Sequence, residues 1–207
     1  MTDETRSSKS TGEQIDAYEM TVWALLGFLN ICRYDDVKRA FDPGVLVAQG
    51  RAMKTSEKNR VSPNNQVIPD LVVRISKSAG VVGEVKYSFP VDGARWQDDF
   101  RQLMGYDDDL ANWPGGDTPA PTHEVVLLAE IGRGPAVRKF FESMRGKGEI
   151  TFNRNFLIVE FTRSDNREPF ILFRLQHGME LKSSSEKHSR LEAGVKVPLR
   201  ILFELYS

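Results

Sequence analysis

The chain has 207 residues, 40% of them hydrophobic and 28% charged, so one sizeable buried core is within reach, and global disorder and collagen-like repeats are excluded. Its 28 Lys and Arg against 29 Asp and Glu give a net charge of −1. That excludes a basic coat over the whole molecule but not a local basic patch, and a single cysteine, Cys32, excludes an internal disulfide framework and most cysteine-based zinc sites.

Residues 1–11 are polar and Ser/Thr-rich and read as a disordered tail; residues 12–207 carry no strong boundary and read as one domain. The greasiest run, residues 20–32, is shorter than the about 20 apolar residues a bilayer span needs. The acidic segment before it has the wrong sign for a signal peptide. The expectation is a cytoplasmic protein with a reduced thiol and no membrane partner.

Residues 12–31 contain no proline and repeat apolar residues at Ile15, Val22, Leu26 and Leu29, which predicts a helix. Glu19 falls on that stripe, where a carboxylate needs a partner or a metal. The pattern weakens over residues 34–65. Within them Arg51, Lys54, Lys58 and Arg60 form a candidate basic loop for gripping nucleic-acid phosphates, and residues 133–147 form a second basic run.

Strands are predicted over 67–75 (broken near Pro69-Asp70) and 81–89, then a helix over 92–113. A buried strand over 124–131 and a helix over 135–145 follow, then strands over 156–162 and 170–176. Residues 183–189 read as a polar loop and 195–205 as a last strand. Asp107, Asp108 and Asp109 read as a solvated helix end, because consecutive helical residues point about 100° apart and cannot converge. The order predicts an α/β or α+β fold, a central mixed sheet flanked by helices.

One stretch breaks the local rules. In Gly83-Glu84-Val85-Lys86 the alternation of a strand puts Glu84 and Lys86 on one face and Val85 on the other. Two charges on one face of a strand expected to be buried mark a candidate site. Asp70 starts the preceding strand, which a short hairpin brings alongside. Two hard carboxylates suit a magnesium ion that keeps waters and takes phosphate oxygens. Such an ion polarises a phosphoryl group and acidifies a bound water, and a nearby lysine offsets developing negative charge.

Pro69-Asp70 followed by Glu84-Val85-Lys86 resembles the signature of the PD-(D/E)XK nuclease superfamily. Gln102 and Tyr106, four apart on the next helix, resemble the Q-x-x-x-Y motif of its RecB-like branch, although His123, His177 and His188 all lie downstream of Asp70, where that branch often has a histidine upstream. The resemblance spans roughly residues 13–131. It implies a restriction-endonuclease-like core, with one more strand hidden between residues 34 and 67. It also implies a Mg²⁺-dependent deoxyribonuclease (Mn²⁺ as a substitute) acting on DNA in restriction, anti-phage defence, repair or mobile-element biology; cutting both strands with a single site requires a homodimer or two sequential nicks, and any translocation requires a partner protein. In that scheme Asp70, Glu84 and the Val85 carbonyl hold the metal, with Glu19 as an outer ligand or a hydrogen-bonding partner. Lys86 is the catalytic lysine, and Gln102 and Tyr106 position it or a DNA phosphate. The alternative is a catalytically silent nuclease fold used for DNA binding or assembly.

Overall fold

The computed structural model describes residues 11–35, 46–48, 52–55, 65–87, 95–115, 121–165, 167–178 and 186–201. Helix α1 (Thr11–Asp35) comes first, then strands β1 (Leu46–Ala48), β2 (Met53–Lys54), β3 (Gln66–Val67), β4 (Leu71–Arg74) and β5 (Ala79–Lys86). Helix α2 (Trp96–Tyr106), β6 (Thr122–Glu130), α3 (Gly134–Gly146), β7 (Phe156–Ser164), β8 (Phe170–Gly178), α4 (Glu186–Ala193) and β9 (Val195–Pro198) complete the order.

Among these residues seven strands form a mixed sheet in the order β1-β4-β5-β6-β7-β8-β9, and β2 pairs with β3 separately. Strands β5, β6 and β7 are parallel, and the other pairs are antiparallel. Parallel neighbours need long crossovers, and α2 and α3 lie within the two that are required. The mixed sheet with flanking helices follows the expectation.

Each sheet face carries its own core. On one, Leu25, Phe28, Leu29 and Cys32 of α1, with Leu191 of α4, pack on Val73, Val81, Val85, Leu128, Val159 and Phe173. On the other, Trp96, Phe100 and Leu103 of α2 and Val137 and Phe141 of α3 pack on Val82, Val125, Leu127 and Ile158. Among the described residues no helix is long and apolar enough to cross a membrane.

Four expectations need correction. The buried face of α1 runs through Ala24, Leu25, Phe28, Leu29 and Cys32, while Val22 and Leu26 are only half-buried. Glu19 therefore sits off the buried stripe, and its side chain is exposed. Helix α2 starts at Trp96 and ends at Tyr106, well short of Trp113. Asp107 ends it by turning its carboxylate to the backbone N–H groups of Asn153 (2.7 Å) and Arg154 (2.8 Å), so it tethers the helix end to the lead-in of β7. Part of the expected polar loop at 183–189 belongs to α4, and the last strand ends at Pro198. The expected 1–11 tail lies outside the described residues except for Thr11, which opens α1.

Candidate active site

Proline decides where this site forms. In the β4–β5 ladder Leu71 faces Gly83, and Ile75 donates its N–H to Ala79 at 2.9 Å. The next rung in that alternation would set Pro69 opposite Val85. Proline has no N–H to give, so it has nothing to offer the Val85 carbonyl. The strand parts there: residues 66–67 join β2 in the small sheet, while 71–74 stay in the large one. Asp70 stands at the fork, and its Oδ2 accepts the Val85 N–H at 2.9 Å. Asp70 is thereby held beside Glu84, close enough for its charge to act on it.

Glu84 and Lys86 point to the α2 side of β5, as the alternation requires. Glu84 is only 5% exposed. Its Oε1 accepts from Lys86 Nζ (3.1 Å) and Gln102 Nε2 (3.0 Å), and its Oε2 accepts from the Tyr106 hydroxyl (2.7 Å). Gln102 Nε2 also donates to the Tyr106 oxygen at 2.7 Å. Four residues separate Gln102 from Tyr106, one helical turn, so a single face of α2 delivers both. Lys86 Nζ reaches a further carboxylate, Asp99 Oδ1, at 3.1 Å. Asp70, Glu84, Lys86, Gln102 and Tyr106 are thus brought together.

Charge in this cluster is poised. Burial, and then the Asp70 charge, push the Glu84 carboxyl above its ordinary range against the pull of Lys86 and Tyr106. Burial works against the Lys86 ammonium, but Glu84 and Asp99 outweigh it and raise its pKa. Burial, then Glu84, push the Tyr106 phenol far up, so it stays a neutral donor. Among the described residues no group of three or more His, Cys, Asp or Glu is placed to hold a metal ion. The pair Asp70 and Glu84, with a Val85 carbonyl that Pro69 cannot engage, is an all-oxygen donor set. It fits a hard cation that completes its shell with water and substrate oxygens, and a cation there would relieve the repulsion between the two carboxylates.

Glu19 is not brought to this cluster. Its Oε1 accepts from Trp23 Nε1 (3.0 Å) and Arg163 (2.8 Å), which hold its pKa down. It lines a cleft with Tyr87, Glu130 and Arg163, on the side of the sheet away from Glu84. Lys54 is exposed on β2, its backbone bridged to Ala111. Arg51, Lys58 and Arg60 lie outside the described residues. Sequence reading missed Asp99. Its signal was the spacing of 99, 102 and 106, one helical face, with a second acid at Asp98 obscuring which of the two mattered.

Compared with known proteins, the chain matches no family model, no curated protein and no solved structure.

Proposed function

We propose that the chain is a Mg²⁺-dependent deoxyribonuclease of the PD-(D/E)XK type, with β1, β4, β5 and β6 and the flanking helices α1 and α2 as its restriction-endonuclease-like core. One observation carries the reading: a buried carboxylate, Glu84, shares its oxygens with Lys86, Gln102 and Tyr106 while Asp70 is fixed beside it by the Val85 N–H. A structural ion pair needs neither the second carboxylate nor the helix donors. The short strand β1 lies between residues 34 and 67 and pairs with β4, which supports this reading of the core.

Asp70, Glu84 and the Val85 carbonyl would hold the ion. When bound, it supplies Lewis-acid polarisation of a phosphoryl oxygen and a water of lowered pKa. The protein residues do the rest. Gln102 and Tyr106 fix the Glu84 rotamer, so its oxygens are set before substrate arrives. Lys86 stays protonated between Glu84 and Asp99. As a compact point charge it is suited to offset the negative charge that builds on the phosphate as water adds and the P–O bond breaks.

The test is cleavage of supercoiled plasmid and of linear single- and double-stranded DNA in Mg²⁺, Mn²⁺ or EDTA, with Asp70→Asn and Glu84→Gln beside the wild type. The expected result is metal-dependent cleavage lost in both variants. DNA binding without cleavage under every condition would overturn the enzyme and leave the silent binding module; a wild-type rate in either variant would overturn the site.

A further inference from the structure

The sheet face that carries Glu84 and Lys86 continues beyond its helices. In β8, Ile171 and Phe173 are buried in the α1 core, so Phe170, Leu172 and Arg174 take the other face, the α2–α3 side. Strand β9 extends it: Phe170 pairs with Pro198 and Leu172 with Lys196. The first turn of α3 covers the sheet only as far as Glu160 and Gln176, to which Gly134 is packed. Past that point Arg174 and Lys196 are exposed and Phe170 is half-buried.

A cleft of about 620 Å³ lies here, lined by Arg167, Phe170, Lys196 and Arg200, with Glu168 as its acid. Lys196 Nζ stands 4.9 Å from the centroid of the Phe170 ring. Among the described residues Arg167, Arg174, Lys196 and Arg200 make no ion pair, whereas Arg101, Arg138, Arg154 and Arg163 each have a carboxylate partner. Arg167, Lys196 and Arg200 line one cleft with the Phe170 ring and Arg174 stands farther along β8; with no ion pair among the described residues, on a chain of net charge −1, they are a concentrated positive patch.

The register gives the separation between this patch and the candidate site, with Ala129 and Glu160 buried between them. Lys86 pairs with Ala129, Ala129 with Glu160 and Glu160 with Arg174, all along one row of the sheet. Three strand spacings of about 4.8 Å put Arg174 roughly 14 Å from Lys86. A stacked strand advances about 3.4 Å per nucleotide, so the gap is about four nucleotides.

We propose that the β8–β9 face is a track for single-stranded nucleic acid, in which Arg167, Arg174, Lys196 and Arg200 hold phosphates and Phe170 stacks on a base. This deepens the nuclease reading and rests on it for the direction of the strand toward Lys86. The ring selects a single strand, because bases inside a duplex already stack on one another and offer no free face.

The test is fluorescence anisotropy of labelled dT₁₂ and of a 12-base-pair duplex against Glu84→Gln protein in EDTA, where nothing is cut. Phe170→Ala in that background is expected to weaken dT₁₂ binding about tenfold and leave the duplex unchanged. Lys196→Glu with Arg200→Glu is expected to weaken both and to flatten the salt dependence for dT₁₂ by about 0.7 per lost phosphate contact. Melting curves of each variant report folding, and the double charge variant, whose two positions are exposed, stands in if Phe170→Ala unfolds. Unchanged dT₁₂ affinity in the folded variants, or no dT₁₂ binding by the parent protein, overturns the track. Metal-dependent cleavage of single strands by wild-type protein, undiminished by these substitutions, overturns the track and leaves the nuclease. Binding lost as expected in a protein that cleaves no DNA upholds the track and removes the nuclease.

Discussion

Glu84 carries a charge that its surroundings both hold and oppose. Burial and Asp70 raise its pKa from the ordinary 4.5. A carboxyl raised in this way helps the fold below its ordinary pKa, and that help is lost as pH rises through the raised value. Above that raised value and without metal, ionised Glu84 therefore works against stability. Glu84→Gln is expected to melt no lower than wild type in EDTA while abolishing cleavage; a melting point lower by several degrees would make Glu84 a structural residue. Asp99 acts through Lys86. Asp99→Asn frees the ammonium from one of its two anchors, and kcat is expected to fall by up to about a hundredfold with KM little changed. Steady-state kinetics separate this from a loss of substrate binding, which would raise KM instead.

At the scale of elements, two glycines set how closely helices approach the sheet. A Cβ at Gly27 of α1 would lie 2.7 Å from the Phe173 ring, and one at Gly134 would lie 2.4 Å from Glu160 Cγ. Gly134 lets the N-terminus of α3 close on the Glu160 carboxylate, which accepts the N–H groups of Gly132 and Gly134 and the Gln176 amide. Gly27→Ala and Gly134→Ala are each expected to destabilise by about 1–3 kcal/mol in urea unfolding. Gly146→Ala, with nothing within 4 Å, is the control and is expected to be neutral or to stabilise by up to about 1 kcal/mol. The legibility of elements follows the same physics. Strands β5 to β7 announce themselves through apolar runs, and the Asp70–Glu84–Lys86 set through charge placed where those runs forbid it. Helix α4 hides because Lys187 and His188 are among its buried residues. Their partner Glu124 lies 63 residues away from Lys187, a pairing that periodicity cannot reveal. Helix α2 reads too long because Leu110 and Trp113 continue its apolar spacing, yet both are buried from a non-helical segment after Asp107 has turned the chain.

The molecule as a whole is joined across its layers by buried charge. Lys187 donates to Glu124, and His188 Nε2 lies 3.2 Å from the other oxygen, which ties α4 to the start of β6. Burial alone would raise Glu124, but His188 and Lys187 outweigh it and hold it at about 2. A depressed carboxyl gives stability that is present above its ordinary 4.5 and is lost as pH falls toward about 2. Burial also pushes His123 down to about 4, and its Nε2, 2.7 Å from the Tyr106 carbonyl, carries the ring hydrogen when neutral. That group's contribution is present above its ordinary 6.5 and fades toward pH 4. Acid unfolding is therefore expected to proceed in two windows. Urea titrations between pH 7 and pH 3 should show Glu124→Gln flattening only the lower one, by on the order of 2–3 kcal/mol. A flattening of the upper window instead would reassign it to the carboxylate.

Cys32 gives this architecture a built-in clock. It is the only thiol in the chain and is 0% exposed, on the face of α1 that seals one side of the sheet. A bulky disulfide reagent can react with it only after that helix lifts away, so labelling rates in native buffer measure that opening. If α1 departs alone, labelling outpaces global unfolding and is indifferent to Gly134→Ala, which loosens the opposite layer. Should the two layers part only together, every substitution that lowers global stability will speed the labelling in proportion.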